Sequence, residues 1–182
     1  MAYVKKFPLS VKGMIMINCT LCMRESFCYS WIPKAAELAE VNYTLPSTFS
    51  PDSILNSMMN VADAMEVKKV RWKMAFASQK NDSIMNACYP DIPNCNNDFS
   101  SVALNIKDYW IDYKAETPNI KTPVLFFYGH KDWMIGPKHY LTVKFPNMIL
   151  WGSNVGHIPF LENRKDLEKA INKFSIKYNF RN

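Results

Sequence analysis

Glycine is scarce in this chain of 182 residues: five in all, Gly13, Gly129, Gly136, Gly152 and Gly156, and none across residues 21–119. Long apolar runs are missing too. The longest, residues 14–19 and 124–128, are strand-sized, so no segment reads as a bilayer span. Residues 1–12 lack the apolar block of a signal peptide, which predicts a soluble, cytoplasmic protein with no membrane partner. Basic residues outnumber acidic ones 22 to 16, giving a formal +6. They are scattered, and the densest stretch, residues 164–181, is interleaved with Asp166 and Glu168 as on a solvated helix face. With no basic run, recognition motif or stacking-aromatic pattern, a nucleic-acid partner is not expected. The five cysteines, Cys19, Cys22, Cys28, Cys88 and Cys95, are odd in number, which argues against a disulfide framework. Cys19-Thr-Leu-Cys22 has C-x-x-C spacing, but no second pair exists and the histidines lie far downstream. Reduced, structural cysteines are therefore expected, and neither a metal nor a cofactor is implied.

What is present describes a globular α/β chain. Hydrophobic residues make up 48% and aromatics 14%, enough for a sizeable core in one domain that carries an insertion. Residues 2–7 read as the tail of a helix that Pro8 stops. Residues 11–19 (V-K-G-M-I-M-I-N-C) read as a strand buried on both faces. The glycine-free middle reads as mostly helical. Ser50-Pro51-Asp52 starts a helix with Ile54, Leu55, Met58, Met59, Ala62 and Met65 on one face. Val67, Val70 and Met74 suit a second helix. Residues 89–97 suit a loop, and Asp98 suits the cap of a third helix presenting Phe99, Val102, Ile106, Tyr109, Trp110 and Tyr113. The last third alternates: strand 123–128, short helix 137–145, strand 148–151, then a long amphipathic helix capped by Asn163. Such alternation predicts a parallel sheet wrapped by helices.

In a parallel α/β sheet, functional residues collect on loops past the carboxyl ends of strands. Gly129-His130-Lys131-Asp132 follows one strand, and the Gly152–Asn163 loop, which contains Gly156-His157-Ile158-Pro159, follows the next. An acid and a histidine thus fall at the same edge of consecutive strands. A carboxylate there can hold the histidine Nδ1 proton and stabilise the imidazolium that forms when the ring acts as a base.

The segment 122–174, P-V-L-F-F-Y-G-H-K-D … P-N … G-H-I-P-F-L-E-N … F, resembles the C-terminal third of α/β-hydrolase-fold enzymes, with a flavour similar to prolyl-iminopeptidase-like hydrolases. The resemblance implies Asp132 as triad acid and His157 as general base. It implies a partial α/β-hydrolase fold: the last three parallel strands with flanking helices, the core formed by residues 1–20 and 120–182, and a helical cap at 21–119. Acidic cap residues hold the substrate amine in such enzymes; Glu25, Glu37, Glu40 and Glu66 are candidates by type alone.

The departure from the pattern is as informative as the match. The nucleophile of these enzymes sits in G-x-S-x-G between a strand and a helix, and no pair of glycines here has that spacing around a serine. In Gly152-Ser153-Asn154-Val155-Gly156 the serine comes one place early and after the wrong strand. Residues 1–8 resemble the end of the helix that follows the nucleophile, so the expectation is a C-terminal fragment of a serine hydrolase, inactive alone. The intact enzyme would cleave an ester or an N-terminal peptide bond of a small substrate. Related enzymes with an Asp nucleophile share the architecture. A different class also fits: a noncatalytic binding module acting through the cap, or one half complementing a separate N-terminal half. Finally, Met14-Ile15-Met16-Ile17 carries neither charge nor Pro, and self-association through that strand's edge is expected.

Overall fold

The computed structural model describes residues 1–45, 48–88, 102 and 104–180. In chain order the described helices are α1 (Ala2–Lys6), α2 (Met23–Ser26), α3 (Ile32–Ala39), α4 (Pro51–Val67), α5 (Trp72–Ala75), α6 (Gln79–Cys88), α7 (Pro159–Glu162) and α8 (Arg164–Lys177). A π-helical turn, Phe27–Trp31, joins α2 to α3. Three parallel strands, β1 (Met14–Ile17), β2 (Val124–Gly129) and β3 (Met148–Ser153), form one open sheet in the order β1-β2-β3. Met14 lies opposite Val124, which lies opposite Met148. Among the described residues no helix is long and apolar enough to cross a membrane.

The apolar character of the strands follows from burial on two sides. Val124 and Phe126 of β2 pack with Val4 of α1, Leu21, Ile120, Val143 and Phe145. Leu125 and Phe127 point the other way, onto Leu167, Ala170 and Phe174 of α8. Asn163 caps that helix, its Oδ1 accepting the Asp166 N–H at 3.2 Å. β1 is shorter than residues 11–19 because Asn18 takes a left-handed conformation (φ 43°), which ends the strand.

The middle of the chain builds a core of its own. Trp31, Ile32, Ala35, Ala36 and Ala39 meet Ile54, Val61 and Met65 of α4, and Met74 and Trp110 complete it. The Ser50 Oγ accepts the Ser53 N–H at 3.3 Å and Pro51 opens the helix. Met59, expected on the buried face, is 65% exposed. It lies five residues beyond Ile54, about 140° round the helix and off the stripe. Without glycine, two helices end on left-handed residues that carry side chains, Glu40 (φ 54°) after α3 and Lys69 (φ 55°) after α4. Each such residue costs about 1 kcal/mol. The Lys69 turn also stops the helix expected through Val67, Val70 and Met74; Val67 is exposed, and only α5 resumes.

Two expected helices are replaced. The loop 89–97, the Asp98 cap and Phe99 lie outside the described residues, but the helix does not run on to Tyr113. Ile106 and Ile111 are extended and flank a 3-10 turn, Lys107–Trp110. The reason is divided loyalty: Trp110 packs on Phe27 in the middle core, whereas Tyr113 packs against the sheet. A straight helix cannot serve both. Residues 137–145 form only one 3-10 turn, His139–Thr142, because the Lys144 N–H goes to the Thr117 hydroxyl (3.0 Å) rather than to a helical carbonyl.

Candidate active site

Beyond their last paired residues β2 and β3 stay side by side. The His130 N–H donates to the Ser153 carbonyl (2.8 Å) and the Lys131 N–H to the Val155 carbonyl (2.9 Å). This places Asp132 against His157. Asp132 is buried, 2% exposed. Its Oδ1 accepts the N–H groups of Met134 (3.1 Å) and Ile135 (3.3 Å), which shapes its own loop. Its Oδ2 stands 3.1 Å from His157 Nδ1. An ionised carboxylate offers only lone pairs, so this contact puts the ring proton on Nδ1 and leaves Nε2 with the free pair.

His157 is partly open, its side chain 31% exposed. It lines a cavity of about 700 Å³ with Trp31, Trp72, Met74, Phe76 and Met134 among the apolar walls and Glu66, Lys69, Arg71 and Asp82 among the charged ones. With Gln79, Asn86 and His157 added, polar and charged residues make up about half of the lining, so the space is mixed rather than apolar.

The other histidines are placed differently. His130 sets its ring edge-on to Tyr128, centroids 5.2 Å apart. His139 is buried, its Nε2 accepting the Leu21 N–H at 3.0 Å, and burial pushes its pKa below the usual imidazole range. Of the four acidic candidates, Glu66 lines the cavity. Glu25 pairs with Lys114, while Glu37 and Glu40 pair with Lys34 and Lys68 at 2.5 Å.

No side chain beside His157 supplies an activated nucleophile among the described residues. Ser153 is buried on β3, and its hydroxyl has no hydrogen-bond partner there. Cys19, Cys22, Cys28 and Cys88 are free thiols. Burial raises the first three, Cys19 to about 11, where the thiolate is a trace species at neutral pH. Cys95 lies outside the described residues.

Two positioning groups escaped the sequence reading. Asn18, 5% exposed, accepts the Gly129 N–H on Oδ1 and donates from Nδ2 to the Gly156 carbonyl, both at 2.8 Å. One side chain at the end of β1 thereby ties the end of β2 to the histidine loop that follows β3. Gly129 permits this closeness, since a Cβ there would collide with the carbonyl oxygens of Val155 and Gly156. Glu162 lies inside the quoted G-H-I-P-F-L-E stretch, but its partners are backbone N–H groups that leave no mark in sequence.

With this geometry in hand, comparison with known proteins gives a fold but no close kin. No family model matches the chain, and no curated protein matches it. Solved structures do, ten chains in all, among them the following three. The proline iminopeptidase-related protein of Thermus thermophilus matches at 13% identity with a TM-score of 0.69, over 96% of this chain and 59% of that one. The α/β-hydrolase enzyme MGS-M2 from a Medee basin deep-sea metagenome library matches at 16% and 0.55, over 95% and 59%. An α/β-fold family hydrolase of Bacillus anthracis str. Sterne matches at 17% and 0.55, over 95% and 62%. The chain therefore has part of the α/β-hydrolase fold, and it spans about three fifths of the length of these neighbours.

Proposed function

We propose that this chain carries the acid and the general base of a serine hydrolase whose nucleophile lies on polypeptide beyond these 182 residues. The observation that carries this reading is the Asp132 Oδ2 to His157 Nδ1 contact of 3.1 Å, past the ends of two adjacent parallel strands. His157 Nε2 takes the proton of the attacking hydroxyl and returns it to the leaving group, while Asp132 stays ionised and holds the ring. Residues 21–119 act as the cap, and the cavity beneath takes the substrate, an ester or an N-terminal peptide bond. Glu66 is the one acidic candidate on the cavity wall; its loose pair with Arg71, 3.9 Å and exposed, is one that a substrate amine would have to displace. Among the described residues no serine is activated by His157, and the chain alone is expected to hydrolyse nothing by this route.

The test is covalent labelling with a fluorophosphonate probe. The 182-residue chain stays unlabelled. Joined to a polypeptide that supplies a G-x-S-x-G segment of this fold, the chain supports labelling on that serine, and His157→Ala abolishes it. Labelling of the chain by itself, lost on Ser153→Ala, would sink this reading. The cavity also suits one alternative, a noncatalytic module that retains a ligand with an apolar part against Trp31 and Trp72, both of which line it. Quenching of tryptophan fluorescence by a fatty acid or aromatic ester, with no labelling of the joined polypeptide, is the result that selects it.

A further inference from the structure

Residues 74–77, running from α5 toward α6, form a strap beside both loops of the site. The Met74 carbonyl accepts the Trp133 N–H at 3.0 Å, next to Asp132, and the Ala75 carbonyl accepts the N–H of His157 itself at 2.6 Å. Backbone pairing then runs out. The N–H groups of Ala77, on the strap, and Gly156, on the histidine loop, converge on one point with no carbonyl between them. Glu162 fills the gap: its Oε2 accepts from Ala77 at 3.1 Å and from Gly156 at 3.0 Å. Two N–H dipoles aimed at one spot are well met by a carboxylate oxygen, which has lone pairs for both. The approach is close, and Gly156 permits it: a Cβ there would strike the Ala75 carbonyl oxygen.

We infer that Glu162 is a positioning residue for His157: by joining the Gly156 amide to the strap, its carboxylate fixes the loop that presents the imidazole to Asp132. Its helix supports this. α7 is a single turn that follows the histidine at once, and the Glu162 N–H is bonded to the Ile158 carbonyl at 3.1 Å, so the carboxylate and the loop it braces share one rigid corner. The same strap residues Met74, Ala75 and Phe76 also wall the cavity, so the brace spans the ligand space and the imidazole together. The functional meaning of this inference rests on the proposed role of His157, but its test does not use hydrolysis.

The test is NMR on the whole ¹⁵N-labelled chain, whose three histidines report separately. Glu162→Leu removes the acceptor while keeping an apolar side chain of similar length. Amide exchange at Ala77 and Gly156 then quickens by about ten-fold or more, as expected when both lose a charged partner. The His157 ring nitrogens move from the fixed Nδ1–H pattern toward a tautomer average, while those of His139 stay put. Glu162→Gln keeps one acceptor oxygen and retains the His157 pattern. Unchanged His157 signals in Glu162→Leu would overturn the inference, as would equal loss of the pattern in the Leu and Gln variants. If Glu162→Leu fails to fold, seen as collapse of the His139 signals, Glu162→Asp replaces it. Drawing the oxygen back by one methylene must shift His157 without shifting His139, and no shift rejects the inference. Should His157 prove positioned this way while the serine-labelling test fails, Glu162 stands as a brace and the hydrolase reading alone falls.

Discussion

At the carboxyl ends of its strands the sheet meets a dense set of polar side chains; along the outer side of β1 the run Met-Ile-Met-Ile carries none. At the strand ends, Asn18 bonds the last residue of β2 and the loop after β3, Asp132 accepts two amides as well as facing His157, Glu162 accepts two amides, and His139 accepts one. Each is a side chain serving backbone at or beyond the point where the sheet ends. The edge is the reverse case. β1 pairs with β2 on one side only, and α8, which covers Leu125 and Phe127, leaves Ile15 46% exposed. The contrast separates two uses of the same sheet: precise geometry is concentrated where strands end, and unsatisfied pairing capacity is left where strands lie side by side.

The largest effect is expected at the polar end. Asp132→Ala strands the Met134 and Ile135 amides and releases His157, and stability falls by roughly 3 kcal/mol, read as a lower urea midpoint at unchanged slope. Asp132→Asn keeps an oxygen for the loop amides and loses less. A loss below about 1 kcal/mol in the alanine variant would mean that the loop does not depend on this carboxylate. The edge comes next. The chain is expected to self-associate as its concentration rises, and Ile15→Lys, which puts a charge on the open strand, weakens that association by about ten-fold or more. Light scattering that finds a monodisperse monomer for the unchanged chain at high concentration would remove the edge from the comparison.

Legibility in the sequence followed the same division. Asp132 and His157 were readable because each stands a few residues past an unmistakable apolar strand, and parallel strands bring such positions together. The helix ends at Ser50 and Asn163 were readable for a similar local reason. Glu162 and Asn18 were not, since their farthest partners are backbone groups, the Ala77 N–H 85 residues away and the Gly156 carbonyl 138 residues away. The third middle helix misled because Trp110 and Tyr113 keep helical spacing while packing into different cores. Periodicity records that residues are buried, not that they are buried together.

His139 gives a smaller, pH-dependent test of the polar end. Burial lowers its pKa from 6.5, the carboxylates of Glu25, Asp112 and Asp132 pulling the other way and Lys114 reinforcing it. The unfolded chain then binds the proton more readily than the folded one, so this contribution is complete above about pH 6.5 and is lost as pH falls toward the folded value. His139→Gln can still accept the Leu21 N–H and does not titrate. Urea midpoints compared between about pH 7 and about pH 5.5 should therefore fall less for the variant. The same slope in both chains would show that other groups set the acid sensitivity.

The smallest effect is expected at Ser153, where the two regimes meet at the end of β3. Its carbonyl is used by the His130 amide, but its hydroxyl is buried with no hydrogen-bond partner among the described residues. A buried hydroxyl left without a partner has lost water and gained nothing, so removing it does not remove a bond. Ser153→Ala fits the same space, because it deletes only the oxygen. Stability should rise by about 0.5–1 kcal/mol, a modest increase in melting temperature for a chain of this size. The same substitution should leave the His157 ring signals where they are, since Ser153 takes no part in holding the histidine. A fall of about 1 kcal/mol or more would mean that the hydroxyl has a partner after all, and with it that the polar end reaches further into β3 than the Asn18, Asp132 and Glu162 bonds define.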